Sequence, residues 1–546
     1  MLKKIVLGLA LAALVACTRV ETSGSAAGSA ARASYTVPHV LRYASAEDIT
    51  GLNPMFSSEA VVLYMSSMTM ANLIKTDERG EPTVPELVTE VPTQKNGGIS
   101  ADGKTITWHL RKGVKWSDGQ PFDADDVVFS TKLILDPKTN VISREGWERI
   151  AKIDEPDKYT VVYHLTTPYS AYAVTFFSTG GANPSIVPKH LLEGVADVNH
   201  AAYNGLPVGI GPFKFESWKR GDSVTMVPDP NYFRGAPKLQ KIVFKLIPDR
   251  NTVLQQLRTH ELDLWTPVSP HYVPDVQKIE GVTVLTIPSF YFDHLDFNLA
   301  RPILRDHAVR EAIRYATDRK TLNDKIRNGI YLLSESVVPV ASAYYDKDLA
   351  LVPFDLAKAR AILDAAGWKP GADGIRSKGG QRLALEFAAF TGSPDSDTQI
   401  ELMRGWWRQV GIDLTVKRFL PSLMFNTYQA GGILYAGKFD IAAFAWGQNT
   451  IADLSNIYAC NRFPPDGQNL LHYCNPEVSS LIAKSQITYD PAARLPLIRR
   501  AQRGIFDDVP TIVLDSRKEI FAFNRDLKGW HPNSIAPFDD VMNVDI

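Results

Sequence analysis

Six consecutive apolar residues, 441–446 (IAAFAW), are the feature that most constrains how this chain can fold. A run this short and this apolar is typical of a β-strand buried on both faces, as in a sheet covered by helices. A polar turn, 447–450 (GQNT), follows at once. In open α/β sheets ligands bind beyond the carboxyl ends of the strands, so this turn is a candidate ligand loop.

The residues on either side of the turn suit a small-molecule pocket. Trp446 offers a large rigid apolar wall, and Asp453 offers a carboxylate that can anchor a cation. Between them, Gly447, Gln448 and Asn449 complete the candidate site. The same pattern also fits a core strand with a surface turn, in which Asp453 caps a helix that begins at Leu454.

The rest of the chain predicts an α/β fold. Strand-like and helix-like segments mix throughout, as where residues 241–247 are followed by residues 251–258. Asp123 and Asp355 are each placed to cap a helix amino terminus, and Gly367 suits the left-handed position after the second of these helices. In residues 306–318 the apolar side chains fall on one helical face.

The amino terminus carries an export signal. Residues 1–17 begin with two lysines, continue with an apolar run and end in LVAC, which resembles the lipobox of bacterial lipoproteins. The resemblance implies that Cys17 is lipidated and anchors the protein to the membrane of the cell envelope. Residues 18–34, rich in Ser, Ala and Gly, are predicted to form a flexible tether. No later segment has the ~18 consecutive apolar residues of a membrane span.

Two further cysteines, Cys460 and Cys474, lie just after the candidate loop. In an exported protein they are expected to face an oxidising compartment, where a disulfide between them would stiffen the support of the loop. The alternative is a pair of free buried thiols.

Composition and motifs argue against several functions. Lys plus Arg number 59 and Asp plus Glu 60, so no strong field favours nucleic acid. The sequence contains no HExxH pair, no Cys/His set with zinc spacing and no GxSxG elbow. We therefore predict no metal site, no cofactor and no catalytic residues.

Four segments of the chain resemble one protein family. They are residues 106–130, 229–264, 296–319 and 355–368, and they match family 5 of the extracellular solute-binding proteins, the peptide- and nickel-binding lipoproteins that feed ABC importers. The resemblance implies a two-lobed periplasmic-binding-protein fold of type II, with an extra subdomain in the first lobe. By the same resemblance, the first lobe comprises residues 35–76, 206–297 and 509–546. The inserted subdomain is 77–205, and the second lobe is 298–508.

The resemblance also assigns roles to residues. In peptide-binding members a carboxylate in this loop receives the α-ammonium of the ligand, which implies that role for Asp453. Ser58, Glu59 and Ala60 match the segment whose backbone pairs with an extended peptide. Tyr291 and Phe292 are expected to line the hinge side of the cleft. This chain departs from the family pattern, because GQNT stands where the usual loop is richer in Gly and Asp.

The function predicted from the sequence is solute capture without catalysis. A monomeric, exported lipoprotein binds a short peptide between two lobes and presents it to the permease of an ABC importer. An oligosaccharide is the alternative ligand, since ten tryptophans allow aromatic stacking. A nickel or metal-chelate ligand is a third, and an exported enzyme or chaperone-like sensor on the same scaffold is the alternative from a different class.

Overall fold

The computed structural model describes residues 32–46, 49–57, 59–179 and 185–546. The predicted signal segment, Cys17 and most of the tether lie outside the described residues. Tyr35–Ile546 forms one compact unit. In the part of the chain that the structure describes, no helix is long and apolar enough to cross a membrane.

The predicted strand is present and extends one residue further, to Gly447, but it is not buried on both faces as expected. Only Ile441 and Ala442 are buried; the next four residues are half-buried, because they border cavities. Within the described ranges the strands are, in chain order, β1 (Val40–Ser45), β2 (Ile74–Lys75), β3 (Val84–Pro85), β4 (Thr105–His109), β5 (Ile150–Asp157), β6 (Thr160–Leu165), β7 (Phe213–Lys219), β8 (Ser223–Pro228), β9 (Lys241–Leu246), β10 (Leu264–Trp265), β11 (Val282–Phe297), β12 (Lys369–Pro370), β13 (Arg376–Lys378), β14 (Gln381–Arg382), β15 (Ala384–Phe390), β16 (Asp413–Phe419), β17 (Ile441–Gly447) and β18 (Thr511–Asn524).

Ten of the strands form one mixed sheet in the order β16-β15-β17-β11-β18-β10-β1-β9-β8-β7. Its centre is the long antiparallel pair of β11 and β18, whose register runs from Val282 opposite Asn524 to Asp296 opposite Thr511. The ladder is interrupted between Pro288 and Phe292. A separate antiparallel sheet, β4-β6-β5, is built from residues of the predicted inserted subdomain.

Helices cover the sheet. The described helices are α1 (Ala60–Thr69), α2 (Ala124–Leu135), α3 (Tyr172–Thr175), α4 (Lys189–Leu192), α5 (Arg250–Arg258), α6 (Val273–Val276), α7 (Pro302–Arg305), α8 (His307–Tyr315), α9 (Arg319–Arg327), α10 (Leu356–Ala365), α11 (Pro394–Gln409), α12 (Pro421–Met424), α13 (Ser455–Tyr458), α14 (Pro476–Gln486) and α15 (Pro491–Asp508). Short 3₁₀ turns occur at Pro54–Phe56, Trp147–Arg149, Val198–His200, Ala202–Gly205, Pro270–Tyr272 and Val541–Asn543.

The predicted helix ends are confirmed. Asp123 caps α2 and forms a reciprocal capping box with Asp126. The Asp355 carboxylate accepts a hydrogen bond from the Lys358 amide at 2.8 Å, at the start of α10. Gly367 has φ +86°, which turns the chain so that the Trp368 amide bonds back to the Leu363 carbonyl at 2.9 Å.

Separate hydrophobic cores lie on either side of the central strand pair. One core packs α8, α10 and α11 against β15–β17, and another packs α1 and the last twenty residues against β1 and β7–β9. A third, centred on β4 and β6, also includes apolar residues of α14 and α15. The two-lobed α/β fold is therefore confirmed, and the exact lobe boundaries stay predictions.

A buried ionic cluster stands where β11 and β18 pass from one half of the sheet to the other. Asp293 and Asp515 are direct cross-strand neighbours, and each is only 6% exposed. Like charges in this arrangement destabilise a sheet. Arg517 compensates for them, because its Nε and Nη2 donate hydrogen bonds to the Asp293 carboxylate at 3.0 and 2.6 Å. Arg327 lies 3.6 Å from the same carboxylate.

The two carboxyl groups differ in protonation. Burial alone would raise the pKa of Asp293, but the charge and hydrogen bonds of Arg517, with Arg327, outweigh it and lower that pKa to about 2. Burial and the adjacent negative charge of Asp293 raise the pKa of Asp515 well above its usual range, so Asp515 holds the proton. The ion pair of Asp293 stabilises the fold above the ordinary aspartate pKa of ~3.9, and this stabilisation is lost as the pH falls towards about 2.

We expect Arg517→Met to lower the free energy of unfolding, because it removes the main partner of a buried carboxylate. The expected loss is about 2–3 kcal/mol, less than for a fully buried pair, since Arg327 remains nearby and Arg517 is 35% exposed. Urea denaturation measures it. The matched control is Arg500→Met, whose pair with Glu477 is exposed, so a change of about 0–1 kcal/mol is expected. Equal changes in both variants would contradict the role given to Arg517.

Candidate functional site

The candidate loop opens into a cavity of about 390 Å³. This volume lies in the range of small-ligand sites, which is roughly 300–1,000 Å³. Of the residues singled out from the sequence, the cavity is lined by Ala60, Tyr291, Trp446, Gly447, Gln448, Asn449 and Asp453. The structure therefore brings the loop after β17 together with α1 and the centre of β11.

The cavity wall is built by the pairing of β17 with β11. In this antiparallel ladder Gly447 stands opposite Tyr291, and Trp446 stands opposite Phe292. A Cβ atom on Gly447 would lie 2.7 Å from the Tyr291 ring, so this close approach requires glycine. The Gln448 amide then bonds to the Phe290 carbonyl at 2.8 Å. The break in the β11–β18 ladder lies at these residues and frees Phe290 and Tyr291 to face the cavity.

Trp446 is half-buried and backed by aromatic rings. Its indole lies parallel to the His294 imidazole, with ring centres 6.0 Å apart, and meets the Phe444 ring edge-on at 5.5 Å. Packing of this kind fixes the orientation of the indole. Its buried Nε1 has no hydrogen-bond partner among the described residues, and neither has the Nε2 of Gln448. Both residues line the cavity, so a ligand oxygen that reaches these donors would satisfy them.

Asp453 combines a local structural role with its position at the cavity. Its Oδ1 accepts a hydrogen bond from the Ser455 amide at 2.9 Å. The helix α13 begins at Ser455 with Leu454 as its N-cap and has no side-chain cap, so Asp453 supports the helix start but does not cap a helix that begins at Leu454. Gln486 Nε2 lies 3.3 Å from Oδ2. The Asp453 amide donates to Asn449 Oδ1 at 3.0 Å, which closes the loop. The carboxylate is thus held in place by the fold while it lines the cavity.

The structure does not bring Glu59 or Phe292 to the cavity. The Glu59 carboxylate accepts hydrogen bonds from the Ser57 and Thr50 hydroxyls at 2.9 and 3.1 Å. It is therefore already hydrogen-bonded within the protein, at the start of α1. Phe292 has no exposed surface and lies in a hydrophobic core, where the regular β11–β18 ladder resumes after the break. Ser58 lies outside the described residues.

Two carboxylates at the cavity were missed in the sequence. Glu145 stands just before the Trp147–Arg149 turn, and Glu519 lies on β18, where it accepts a hydrogen bond from the Ser289 hydroxyl at 2.9 Å. Neither belongs to a motif, and both are distant in sequence from the candidate loop. No local signal could have found them, since only the packing of the chain brings them there.

Glu145 is accessible to water, but the protein around it limits its hydration. Burial raises the pKa of its carboxyl to about 7, and the next cause is the negative charge of Asp453. The positive charges of Arg462 and Arg149 lower the pKa of Glu145. The Tyr169 hydroxyl lies in the same environment. Burial is the main cause that raises its pKa, and the negative charge of Asp453 is the second. Glu145 and Asp453 therefore act on each other through their charges.

Cys460 and Cys474 form a disulfide, with Cα atoms 4.5 Å apart. It joins the end of α13 to the segment before α14, and the Cys460 amide donates to the Ser479 hydroxyl at 3.2 Å. Because α13 begins two residues after Asp453, the bridge supports the downstream side of the loop.

Another cavity, of about 420 Å³, lies beside the Asp293 cluster. Most of its charged side chains already pair with one another, as Arg517 does with Asp293 and Arg327 with Asp395. Ala443, Phe444 and Ala445 of β17 line it, but none of the candidate ligand-binding residues does. Across the described ranges, no group of three or more His, Cys, Asp or Glu side chains could hold a metal ion.

Known proteins resemble this chain over most of its length. The model of the family described as "Bacterial extracellular solute-binding proteins, family 5 Middle" matches residues 83–465. The oligopeptide-binding protein AppA of Bacillus subtilis is 24% identical over 505 residues, covering 91% of this chain and 89% of AppA. The glutathione-binding protein GsiB of Escherichia coli (strain K12) is 26% identical over 453 residues, covering 81% of this chain and 84% of GsiB.

Solved structures share the fold. AppA from Bacillus subtilis in complex with a nonapeptide has a TM-score of 0.76 at 22% sequence identity, covering 92% of this chain and 98% of that chain. NikZ from Campylobacter jejuni in complex with Ni(L-His) has a TM-score of 0.76 at 23% identity, covering 94% of this chain and all of that chain (100%).

We expect Asp453→Asn to lower the pKa of Glu145 from about 7, because it removes the charge that most opposes ionisation of Glu145. The pKa should stay above the ordinary glutamate value, since burial is the larger cause. Carboxyl infrared titration measures it, with Glu145→Gln identifying the band. Glu148→Gln is the matched control and should move the pKa less, because Glu148 acts more weakly on Glu145 than Asp453 does. An unchanged pKa in Asp453→Asn would contradict the coupling.

Proposed function

Because the chain belongs to family 5 of the bacterial extracellular solute-binding proteins, we propose that it captures a short peptide in the cavity beside Trp446 and delivers it to an ABC permease. The family consists of substrate-binding proteins of ABC importers, not of enzymes. Its members and structural relatives bind peptides or other small solutes, among them the oligopeptide-binding AppA, the glutathione-binding GsiB and NikZ in complex with Ni(L-His).

The observation that carries this proposal is the held carboxylate of Asp453 at an aromatic-walled cavity of about 390 Å³. A peptide with a free amino terminus presents an ammonium group, which forms a strong charge-assisted hydrogen bond with a carboxylate in a confined site. The free donors of Trp446 and Gln448 suit the carbonyl oxygens of a peptide backbone. Tyr291 and Phe290 provide apolar surface for its side chains.

Binding is coupled to closure of the cavity. Its lining comes from residues 77–205 and from the loop after β17. Residues 77–205 also contact the carboxyl end of α14 and the residues after it directly. The Ser170 amide donates to the Gln486 carbonyl at 2.7 Å, and the Tyr489 hydroxyl donates to the Gly103 carbonyl at 2.7 Å. A ligand that contacts both sides favours the arrangement in which they meet, which is the state a permease would recognise.

An oligosaccharide is the second candidate ligand, because aromatic rings that could stack on sugars line the cavity. They are Tyr64, Tyr169, Phe290, Tyr291 and Trp446. The carboxylates of the lining favour a ligand with a positive charge and therefore favour the peptide.

We also propose that the exported protein is anchored through lipid on Cys17. The LVAC sequence supports this, and a diacylglycerol-modified cysteine at the mature amino terminus is the expected result in mass spectrometry. An unmodified terminus at another residue would contradict the anchor.

Calorimetry with short peptides tests the peptide proposal. The wild-type protein should bind one peptide per molecule and return it intact. Asp453→Asn should weaken a peptide with a free amino terminus about 10–100-fold, since a hydrogen bond to a charged group contributes about 1.5–3 kcal/mol. The asparagine keeps an oxygen for the Ser455 amide, so the loop is preserved.

The acetylated peptide is the control, because it has no ammonium, and its affinity should hardly change in Asp453→Asn. Equal losses for both peptides would remove Asp453 from the anchoring role. Cleavage products, or no retention of any peptide, would contradict peptide binding as a whole.

A further inference from the structure

The cavity carries more negative charge than a simple peptide can balance. Its lining includes the carboxyl groups of Glu145 and Asp453, and no lysine or arginine of the described residues lines it. A zwitterionic peptide brings one ammonium and one carboxylate. The ammonium satisfies one acidic group, while the terminal carboxylate meets only like charges.

Glu145 and Asp453 reach the cavity from distant parts of the chain, one before the Trp147–Arg149 turn and the other after β17. The side chains of Arg149 and Arg462, which lie near them, do not line the cavity. Arg149 lies over the Tyr169 ring, 4.7 Å from its centre, and donates to the Thr167 hydroxyl at 2.8 Å. The charge of Arg462 lowers the pKa of Glu145, but the Arg462 side chain does not line the cavity. The two carboxyl groups thus face the cavity without a cation of the described lining between them.

A further observation points to a ligand at this place. Gln448 is only 6% exposed, lines the cavity, and its Nε2 has no partner among the described residues. A buried amide donor of this kind calls for an oxygen acceptor. A ligand that accepts a hydrogen bond from this amide has a carbonyl or carboxylate oxygen. The same ligand carries a cationic group nearby, which pairs with the acidic side chains.

Since the proposed function makes this ligand a peptide whose α-ammonium Asp453 holds, we infer that the cavity selects peptides of net positive charge, with Glu145 taking the added ammonium or guanidinium of a lysine or arginine side chain. Glu145 is then a specificity-determining residue. A neutral or acidic side chain leaves the Glu145 carboxyl without a cation, so it is disfavoured.

The preference should depend on pH. The groups that act on Glu145 are Asp453, Glu148, Arg462 and Arg149, and together with burial they give its carboxyl a pKa of about 7. Below this pH Glu145 is neutral and attracts a cation weakly. Above it Glu145 is ionised, so the preference for a cationic side chain rises as the pH passes through about 7.

Calorimetry with four tripeptides at pH 6 and pH 8 tests the inference. They are Ala-Lys-Ala, its uncharged counterpart Ala-norleucine-Ala, Ala-Ala-Ala and Ala-Glu-Ala. At pH 8 the lysine peptide should bind about 10-fold more tightly than the norleucine peptide, as one charge-assisted contact implies, and the glutamate peptide most weakly. At pH 6 the lysine preference should shrink to about 3-fold as Glu145 is protonated.

Two variants distinguish an effect of Glu145 itself from an effect of the net charge around the cavity. Glu145→Gln should abolish most of the lysine preference at pH 8 and remove its pH dependence. Glu148→Gln removes the same charge from the same part of the chain without changing the cavity lining, so it should keep the preference. Thermal unfolding of both variants should match the wild type, since both side chains are exposed.

The outcomes distinguish this inference from the proposed function. Tripeptides that bind with equal affinity for lysine and norleucine, or a lysine preference that survives in Glu145→Gln, would overturn the inference and leave peptide binding intact. If no tripeptide binds but the polyamine spermidine binds and loses affinity in Glu145→Gln, cation selection holds and peptide binding fails. Absence of binding by tripeptides and spermidine alike would overturn both.

Discussion

The pairing of β11 with β18 is the interaction on which the rest of the structure depends. These two strands run antiparallel through the middle of the ten-stranded sheet and belong to both of its halves. Their ladder is broken between Pro288 and Phe292, and there the backbone presents Phe290 and Tyr291 to the cavity. A single pair of strands thus links the two lobes and supplies one wall of the binding site.

Carboxyl groups act on one another both in the Asp293 cluster and at the cavity, and the surroundings of the two sites differ. At the centre of the strand pair, Asp293 is neutralised by Arg517, and Asp515 keeps its proton. This compensation within the protein holds the fold together. At the cavity, no cation of the described lining stands beside Glu145 and Asp453, so a ligand can supply one.

The features that could be predicted from the sequence are those that depend on short stretches of chain. The caps at Asp123 and Asp355, the turn at Gly367 and the strand before the loop all follow from neighbouring residues. The family, too, was recognisable from four continuous segments. Glu145 and Glu519 could not be found in this way, because they reach the cavity only through contacts between elements hundreds of residues apart. The partial exposure of the strand could not be predicted either, because distant elements form the cavities that it borders. Pairing of the Glu59 backbone with a peptide stays a prediction.

The contact between Gly447 and the Tyr291 ring has a consequence for how such a cavity can diverge. A side chain at position 447 would meet that ring at 2.7 Å, so position 447 can change only if the Tyr291 side chain moves or is replaced as well. Gln448 and Glu145 carry no such constraint from one another, whereas Asn449 is held by its hydrogen bond from the Asp453 amide. Duplicated copies of this gene could therefore acquire new ligands by single substitutions at positions 448 and 145, while the glycine persists as a fixed part of the cavity wall.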